Sequence, residues 1–214
     1  SLAAAGPTTA GHPIDETRHP APVTDYGRSK LAAEVLVRAM PFPWTIVRPP
    51  VVYGEWDRGT LKIFQLARGP VAPVFGDGSQ ELSVIHAADL ARALVAAGTS
   101  PAAQGRVYFA THPAPTTSRA LLLACGRALG KTPPPRIVPV PPVVARGLLW
   151  TVGSLAHLAG RATFLSADKA NEYLAPAWRC RGDALTRDTG WRAEIDLEPG
   201  LARTAAWYRE VGWL

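Results

Sequence analysis

Residues 25–40 read D-Y-G-R-S-K-L-A-A-E-V-L-V-R-A-M and are followed by Pro41. Apolar residues recur here at the three- and four-residue spacing of one helix face, at Leu31, Val35, Leu36 and Ala39. Proline lacks a backbone N–H and clashes with the preceding turn, so the helix should stop before Pro41. The stretch therefore predicts a helix over residues 25–40, with Tyr26 and Lys30 near its start.

Short β-branched runs alternate with helical segments along the chain after this helix. The predicted strands cover residues 44–47, 82–85, 106–110 and 137–140. The predicted helices cover residues 60–68, 89–97 and 117–129, the last capped by Thr116 or Thr117 and ended by Gly130. Strands and helices that alternate at this length indicate an α/β fold with a parallel sheet. Beyond Pro141 the sequence predicts only helices and loops.

The composition excludes several classes of protein. The 214 residues carry a formal net charge of +6, mostly from scattered arginines, whereas a surface that binds nucleic acid needs clustered cations. Cys125 and Cys180, with five dispersed histidines, match neither a disulfide framework nor a metal site. A reduced, cytoplasmic protein that binds neither nucleic acid nor metal is therefore expected.

The most apolar stretch covers residues 143–160. A membrane-spanning helix needs about 20 mostly apolar residues. Here Arg146, His157 and two interior glycines interrupt the run. The stretch therefore predicts a buried amphipathic helix rather than a membrane span, and it leaves peripheral contact with a membrane open.

Tyr26 and Lys30 lie four residues apart, so their side chains share one helix face. A free phenol has a pKa of about 10. A neighbouring ammonium favours the phenolate, so such a pair can pass a proton at neutral pH. An isolated pair of this kind is more often two exposed residues on a helix surface. The pair is a candidate general acid/base that needs support from other parts of the sequence.

Three further strings supply that support. They are S-L-A-A-A-G at residues 1–6, T-I-V-R-P-P-V-V-Y-G at residues 45–54 and S-V-I-H-A-A-D at residues 83–89. In this order and spacing they resemble the extended short-chain dehydrogenase/reductase family, the NAD-dependent epimerases and dehydratases. The resemblance extends to the closing W-Y-R-E-V-G-W-L. It implies the carboxyl-terminal part of a Rossmann-like, doubly wound parallel sheet over residues 1–140, a mostly helical substrate-side region over residues 141–214, and NAD or NADP as cofactor.

The resemblance also implies roles for individual residues. Tyr26 would be the acid/base, Lys30 would hold the nicotinamide ribose and favour the phenolate, and Ser1 would hydrogen-bond the reacting oxygen. The cofactor-side residues would be Tyr26 and Lys30 with the segment after strand 44–47, namely Pro49, Pro50, Val51 and Val52, since ligands bind beyond the carboxyl ends of parallel strands. A rigid strand exit is the alternative for the two prolines. His86 and Asp89 would be structural, because Asp can cap a helix at such a junction.

The chain departs from the family pattern in two places. The G-x-x-G-x-x-G phosphate cradle occurs nowhere, and the Gly76–Gly78 turn lacks the strand–helix unit that such a cradle needs. We therefore expect an amino-terminally truncated family member that is inactive as an isolated fragment. Where related epimerases commonly have Asn and Arg near a diphosphate, this chain has Pro50 and Leu82, which offer neither donors nor charge. This favours the 3β-hydroxysteroid-dehydrogenase-like branch.

The sequence thus predicts an NAD(P)-dependent oxidoreductase that acts on the CH–OH or ketone group of a weakly polar small molecule. A steroid-, flavonoid- or terpenoid-like compound would suit. One alternative is a nucleotide-sugar epimerase or dehydratase, which would use the same tyrosine. Another is a non-catalytic member that senses dinucleotides and binds partner proteins, although such members usually lack the tyrosine. A homodimer of the complete protein is also compatible with the sequence.

Overall fold

The structure is a computed structural model that describes the backbone of residues 1–158 and 167–214 and the side chains of residues 1–155 and 167–214. The helices are α1 Leu2–Ala5, α2 Asp25–Arg38, α3 Arg58–Ala67, α4 Ala87–Thr99, α5 Ser118–Ala128, α6 Pro142–Leu158, α7 Ala167–Tyr173, α8 Asp183–Thr189 and α9 Leu197–Glu210, with a 3-10 turn at Pro101–Ala103. The strands are β1 Thr45–Arg48, β2 Val51–Tyr53, β3 Val71–Phe75, β4 Glu81–Leu82, β5 Val84–His86, β6 Arg106–Phe109, β7 Thr116–Thr117, β8 Arg136–Val140 and β9 Ala177–Trp178.

Parallel pairing dominates the strands. β1 pairs with β6, β2 with β5, β3 with β8 and β4 with β9, each in parallel, whereas β4 and β7 are antiparallel. Parallel neighbours need a crossover connection, which is usually helical. Between the partners of the first three pairs the chain indeed runs through one or more of the helices α3, α4 and α5. The predicted α/β class with parallel strands is confirmed.

The hydrophobic core forms two clusters, and the carboxyl-terminal helices enter both. In the larger cluster Tyr208 of α9 meets Phe64 of α3 edge-on, with ring centroids 5.4 Å apart. Leu201 of α9 is fully buried in the same cluster. In the smaller cluster Leu185 of α8 packs with Ile85 of β5. Residues after 180 therefore complete the core around the strands.

Several strands differ from the prediction. β3 was not predicted, because Pro73 interrupts it and pairs opposite Val138 of β8, and proline contributes no N–H to a ladder. The expectation of helices and loops alone after Pro141 is wrong at β9, which adds a short parallel partner to β4. Two residues are too few to show a period in sequence.

The predicted burial of the apolar stretch is wrong. Over the part of α6 whose side chains are described, Ala145 and Leu149 are buried. Val143 is 82% exposed, Trp150 64% and Leu155 61%. None of the described helices has both the length and the apolar character needed to cross a membrane.

His86 and Asp89 both lie at the start of α4, but the helix cap expected of Asp89 is provided by His86. His86, not Asp89, is the N-cap, since its Nδ1 accepts a hydrogen bond of 3.1 Å from the N–H of Ala88. The Asp89 carboxylate is fully buried and accepts from the backbone N–H groups of Glu194 at 3.1 Å and Ile195 at 2.9 Å. Asp89 thus ties the segment before α9 to the start of α4.

We predict that Asp89→Ala lowers the free energy of unfolding by about 2–4 kcal/mol, because two backbone N–H groups lose a charged acceptor and Arg92 loses one of its two carboxylate partners. The matched control is Asp183→Ala, an exposed aspartate in the first turn of α8, which should cost about 0.5 kcal/mol or less. Chemical denaturation followed by circular dichroism measures both. Equal losses in the two variants would contradict the role of Asp89.

Candidate active site

Ser1 lies where α1 begins, beside the carboxyl end of β1. Its Oγ accepts a hydrogen bond of 3.3 Å from the N–H of Ala3, which caps the helix. The next N–H, of Leu2, donates to the carbonyl of Pro49 at 2.8 Å. The side chain of Leu2 is buried in the larger core cluster. These contacts hold Ser1 at the edge where β1 leads into the two prolines.

α2 reaches the same edge through a close helix contact. Its N-cap is the fully buried Thr24, whose Oγ1 accepts from the N–H of Gly27 at 3.1 Å. A Cβ on Gly27 would lie 2.4 Å from the carbonyl oxygen of Ala3, so only glycine lets the first turn of α2 rest on the backbone of α1. Sequence analysis did not single out Gly27, although a glycine inside a helix often marks a packing constraint.

Tyr26 and Lys30 both project from this first part of α2 towards solvent. Tyr26 is 43% exposed, and the Nζ of Lys30 lies 5.4 Å from the centre of its ring. The first turn of α2 packs on α1, where Gly27 faces the carbonyl of Ala3, two residues after Ser1. The structure brings Ser1, Tyr26 and Lys30 to one edge of the molecule.

Glu34 continues the face that carries Tyr26 and Lys30, one further turn along α2. It is buried and accepts two hydrogen bonds from Arg48, from Nε at 2.8 Å and from Nη2 at 2.7 Å. Arg48 is the last residue of β1 and is itself only 2% exposed. A two-pronged Arg–carboxylate pair fixes direction as well as distance. The pair holds α2 against β1. The sequence analysis did not single out Glu34, although its spacing from Lys30 places it near the same helix face.

The predicted cofactor loop is shorter than expected. Pro49 and Pro50 connect β1 to β2 and are half-buried. Val51 and Val52 lie in β2, in register with Val84 and Ile85, so their placement in a loop is wrong. Consecutive β-branched residues favour a strand. Only the two prolines form the exit at the carboxyl end of β1.

α7 covers the start of α2 from the carboxyl-terminal region. Asp168 accepts from the N–H of Asp25 at 3.0 Å, and the amide of Asn171 donates to the carbonyl of Val23 at 3.4 Å. Between them, the Nζ of Lys169 lies 4.8 Å from the centre of the Tyr26 ring. These residues were not predicted from sequence, since nothing in a separate helix identifies its spatial neighbour. The tyrosine thus lies between a lysine of its own helix and one of α7.

Two negative observations complete the site. No group of three or more His, Cys, Asp or Glu side chains in the described residues is arranged to hold a metal ion. Leu82, at a position where related epimerases have a cation, is buried in β4 between Thr116 and Trp178. It presents no polar group to a ligand.

Residues 1–110 match the family model described as the NAD dependent epimerase/dehydratase family. The chain belongs to this family. Its membership confirms the predicted family and its dependence on a nicotinamide cofactor.

Two curated relatives and one solved structure illustrate the range of the family. A ceramide reductase of Caulobacter vibrioides is 31% identical over 193 residues, covering 90% of this chain and 59% of the relative. A UDP-glucose 4-epimerase of Mycolicibacterium smegmatis is 25% identical over 213 residues, covering 94% of this chain and 58% of the relative. A dTDP-glucose 4,6-dehydratase of Bacillus anthracis in complex with NAD superposes with a TM-score of 0.73 at 18% identity, covering 98% of this chain and 60% of that one. The chain thus spans about three-fifths of each, and the Rossmann-like fold is confirmed.

We predict that Gly27→Ala lowers the free energy of unfolding by about 1–3 kcal/mol, because the added methyl group forces α1 and α2 apart. Gly98→Ala is the matched control, since Gly98 also lies in a helix but has no atom within 4 Å of an added Cβ. There the substitution should stabilise by about 0.5–1 kcal/mol through the better helix propensity of alanine. Denaturant titrations give both values, and a shift of the same sign in both variants would rule out the close contact.

Proposed function

We propose that this chain carries the acid/base and the substrate side of an NAD(P)-dependent oxidoreductase that interconverts a ketone and an alcohol on a weakly polar, lipid-like molecule. The observation that carries the proposal is the Tyr26–Lys30 pair at the carboxyl edge of β1, with Ser1 beside it. Family membership supports the cofactor class, and the ceramide reductase of Caulobacter vibrioides supports a lipid-like substrate.

The residues at this edge fit the nicotinamide end of a dinucleotide. Lys30 offers an exposed ammonium and Tyr26 an exposed phenol one turn apart, which suits the hydroxyl groups of a ribose. Pro49 and Pro50 provide a rigid, half-buried wall where β1 ends, the side of a parallel sheet on which ligands bind. When bound, the nicotinamide supplies or accepts the hydride. We assign Tyr26, Lys30, Pro49, Pro50 and the adjoining Val51 and Val52 to this end of the cofactor site.

Proton transfer falls to Tyr26. In the reductive direction its hydroxyl gives a proton to the new alkoxide, and the ammonium of Lys30 stabilises the phenolate that remains. The Oγ of Ser1 already accepts from the N–H of Ala3, which leaves its own hydrogen free to donate to the substrate oxygen. Glu34 and Arg48 hold α2, which carries Tyr26 and Lys30, against β1 and so position these two residues.

The composition of the substrate side of the site favours a weakly polar ligand. We propose that residues 141–214 form this side, because α7 lies directly against the start of α2. Leu82 and Pro50 offer no charge for a diphosphate. This composition is the basis for placing the chain nearer the 3β-hydroxysteroid-dehydrogenase-like branch than the sugar-nucleotide branch.

A nucleotide-sugar epimerase or dehydratase is the second candidate function. It is favoured by the UDP-glucose 4-epimerase relative, whose match covers 94% of this chain. The same tyrosine would serve that reaction. Turnover of a long-chain keto-lipid compared with that of a nucleoside diphosphate sugar, both measured on the full-length protein, separates the two candidates.

We predict that Tyr26→Phe lowers kcat for ketone reduction by about 10²–10⁴-fold in the full-length protein, because the proton donor is lost. Affinity for NADH or NADPH, measured by nicotinamide fluorescence, should change little. Tyr108→Phe is the matched control, since its hydroxyl bonds Asp188 at 2.7 Å and belongs to the smaller core cluster. That variant should lose stability but keep its turnover. Unchanged turnover in Tyr26→Phe would refute the acid/base role, whereas absence of turnover in the unaltered full-length protein would leave the non-catalytic alternative.

A further inference from the structure

α6 presents an apolar surface to solvent on most of its circumference. Val144, Leu148, Thr151 and Leu155 recur at helical spacing and form one exposed stripe, which we call the α6 outer stripe. Val143 and Trp150 flank it and are also exposed. The helix is anchored from beneath by Ala145 and Leu149. A contiguous exposed apolar patch with an aromatic residue marks an interaction surface rather than a solvated face.

The segment of sequence that contains this helix carries charges of one sign only. Although the cations of the chain are scattered, its acids are not, because no Asp or Glu occurs between Asp89 and Asp168. Lysine and arginine occur there at Arg92, Arg106, Arg119, Arg127, Lys131, Arg136, Arg146 and Arg161. All 17 acidic residues therefore lie outside this segment, which carries eight positive charges, whereas the rest of the chain, with 15 cations, has a net charge of −2.

Two of these arginines are not neutralised, and one of them lies within α6. Arg92, Arg106 and Arg127 pair with carboxylates from other parts of the chain. Arg136, at the start of β8, and Arg146, within α6, are exposed and lie more than 4 Å from every carboxylate of the described residues. Exposed leucine and tryptophan beside unpaired arginine is the composition of a helix that lies in a membrane interface.

We propose that α6 docks on the surface of an anionic phospholipid bilayer, with the α6 outer stripe and Trp150 in the interface and Arg136 and Arg146 at the headgroups. Charge complementarity selects the bilayer over a second copy of the chain, whose α6 would bring the same positive segment against this one. α6 packs against α7, and α7 lies on Tyr26. Docking would therefore place the candidate acid/base one helix away from the membrane, where a lipid-like substrate resides.

The access to a lipid-like substrate rests on the proposed function, but docking on the bilayer is measured without substrate. Vesicles of phosphatidylcholine alone or of phosphatidylcholine with phosphatidylglycerol are mixed with the full-length protein and separated by flotation. We expect binding to the anionic vesicles that is at least about tenfold stronger than binding to the neutral ones. The excess should disappear in Arg136→Glu with Arg146→Glu.

The decisive variant is Leu148→Gln with Leu155→Gln, which removes the apolar part of the stripe without touching the core. Its partition onto anionic vesicles should fall by at least about tenfold, since two leucine side chains that would be buried in the bilayer interface are lost. The matched control is Leu66→Gln with Leu94→Gln, on α3 and α4. Leu66 and Leu94 are 45% and 52% exposed, against 51% and 61% for Leu148 and Leu155, so the control removes exposed leucines of similar accessibility from other faces. Its partition should equal that of the unaltered protein.

Two results would overturn docking on a bilayer. One is equal partition of the Leu148/Leu155 variant and the unaltered protein. The other is a dimer in solution that the same variant converts to monomers in the absence of vesicle binding, which would assign the stripe to a second copy. Vesicle binding without reduction of any keto-lipid would refute the proposed function and leave the docking surface in place. Reduction of a keto-lipid without vesicle binding would refute the docking surface and leave the proposed function in place.

Discussion

The contact between α1 and α2 at Gly27 is the constraint on which the candidate site depends. It is a contact of backbone with backbone, so no side chain can substitute for it. The Glu34–Arg48 pair then fixes the far end of the same helix against β1. The two contacts hold the backbone that carries Tyr26 and Lys30 in place relative to α1 and β1. Such prior fixing of groups lowers the cost of orienting a substrate.

The same ion pair shows why polar residues occur inside this part of the core. A buried charge pair seldom stabilises a fold more than a well-packed apolar pair of the same size would. Its advantage is direction, because the guanidinium plane of Arg48 dictates where the carboxylate of Glu34 must lie. The pair therefore favours one register of α2 on β1. For the proposed acid/base role of Tyr26, which needs the phenol at one edge, this register matters more than a gain in stability.

Local patterns in the sequence were sufficient for the long elements and for the residues within one helix. α2, α4 and α5 were predicted within a few residues, because apolar spacing and capping residues act over neighbouring turns. The prediction failed where the outcome depends on distant parts of the chain. Packing between segments far apart in sequence decides whether the apolar residues of α6 are covered. The same kind of packing brings α7 to Tyr26. β3 and β9 were missed because prolines and short length hide strand character.

The buried carboxylate of Asp89 has a consequence for how the chain can be divided. Its two oxygens accept hydrogen bonds from backbone N–H groups more than a hundred residues later in the chain, next to α9. Shortening the chain from its carboxyl end would strand an anion in the interior and would expose the faces that α8 and α9 cover. The proposed division into a cofactor side and a substrate side therefore does not coincide with a structural boundary, because this tether holds the carboxyl-terminal residues as one unit with the rest. Evolution could vary their exposed faces freely while leaving that internal tether intact.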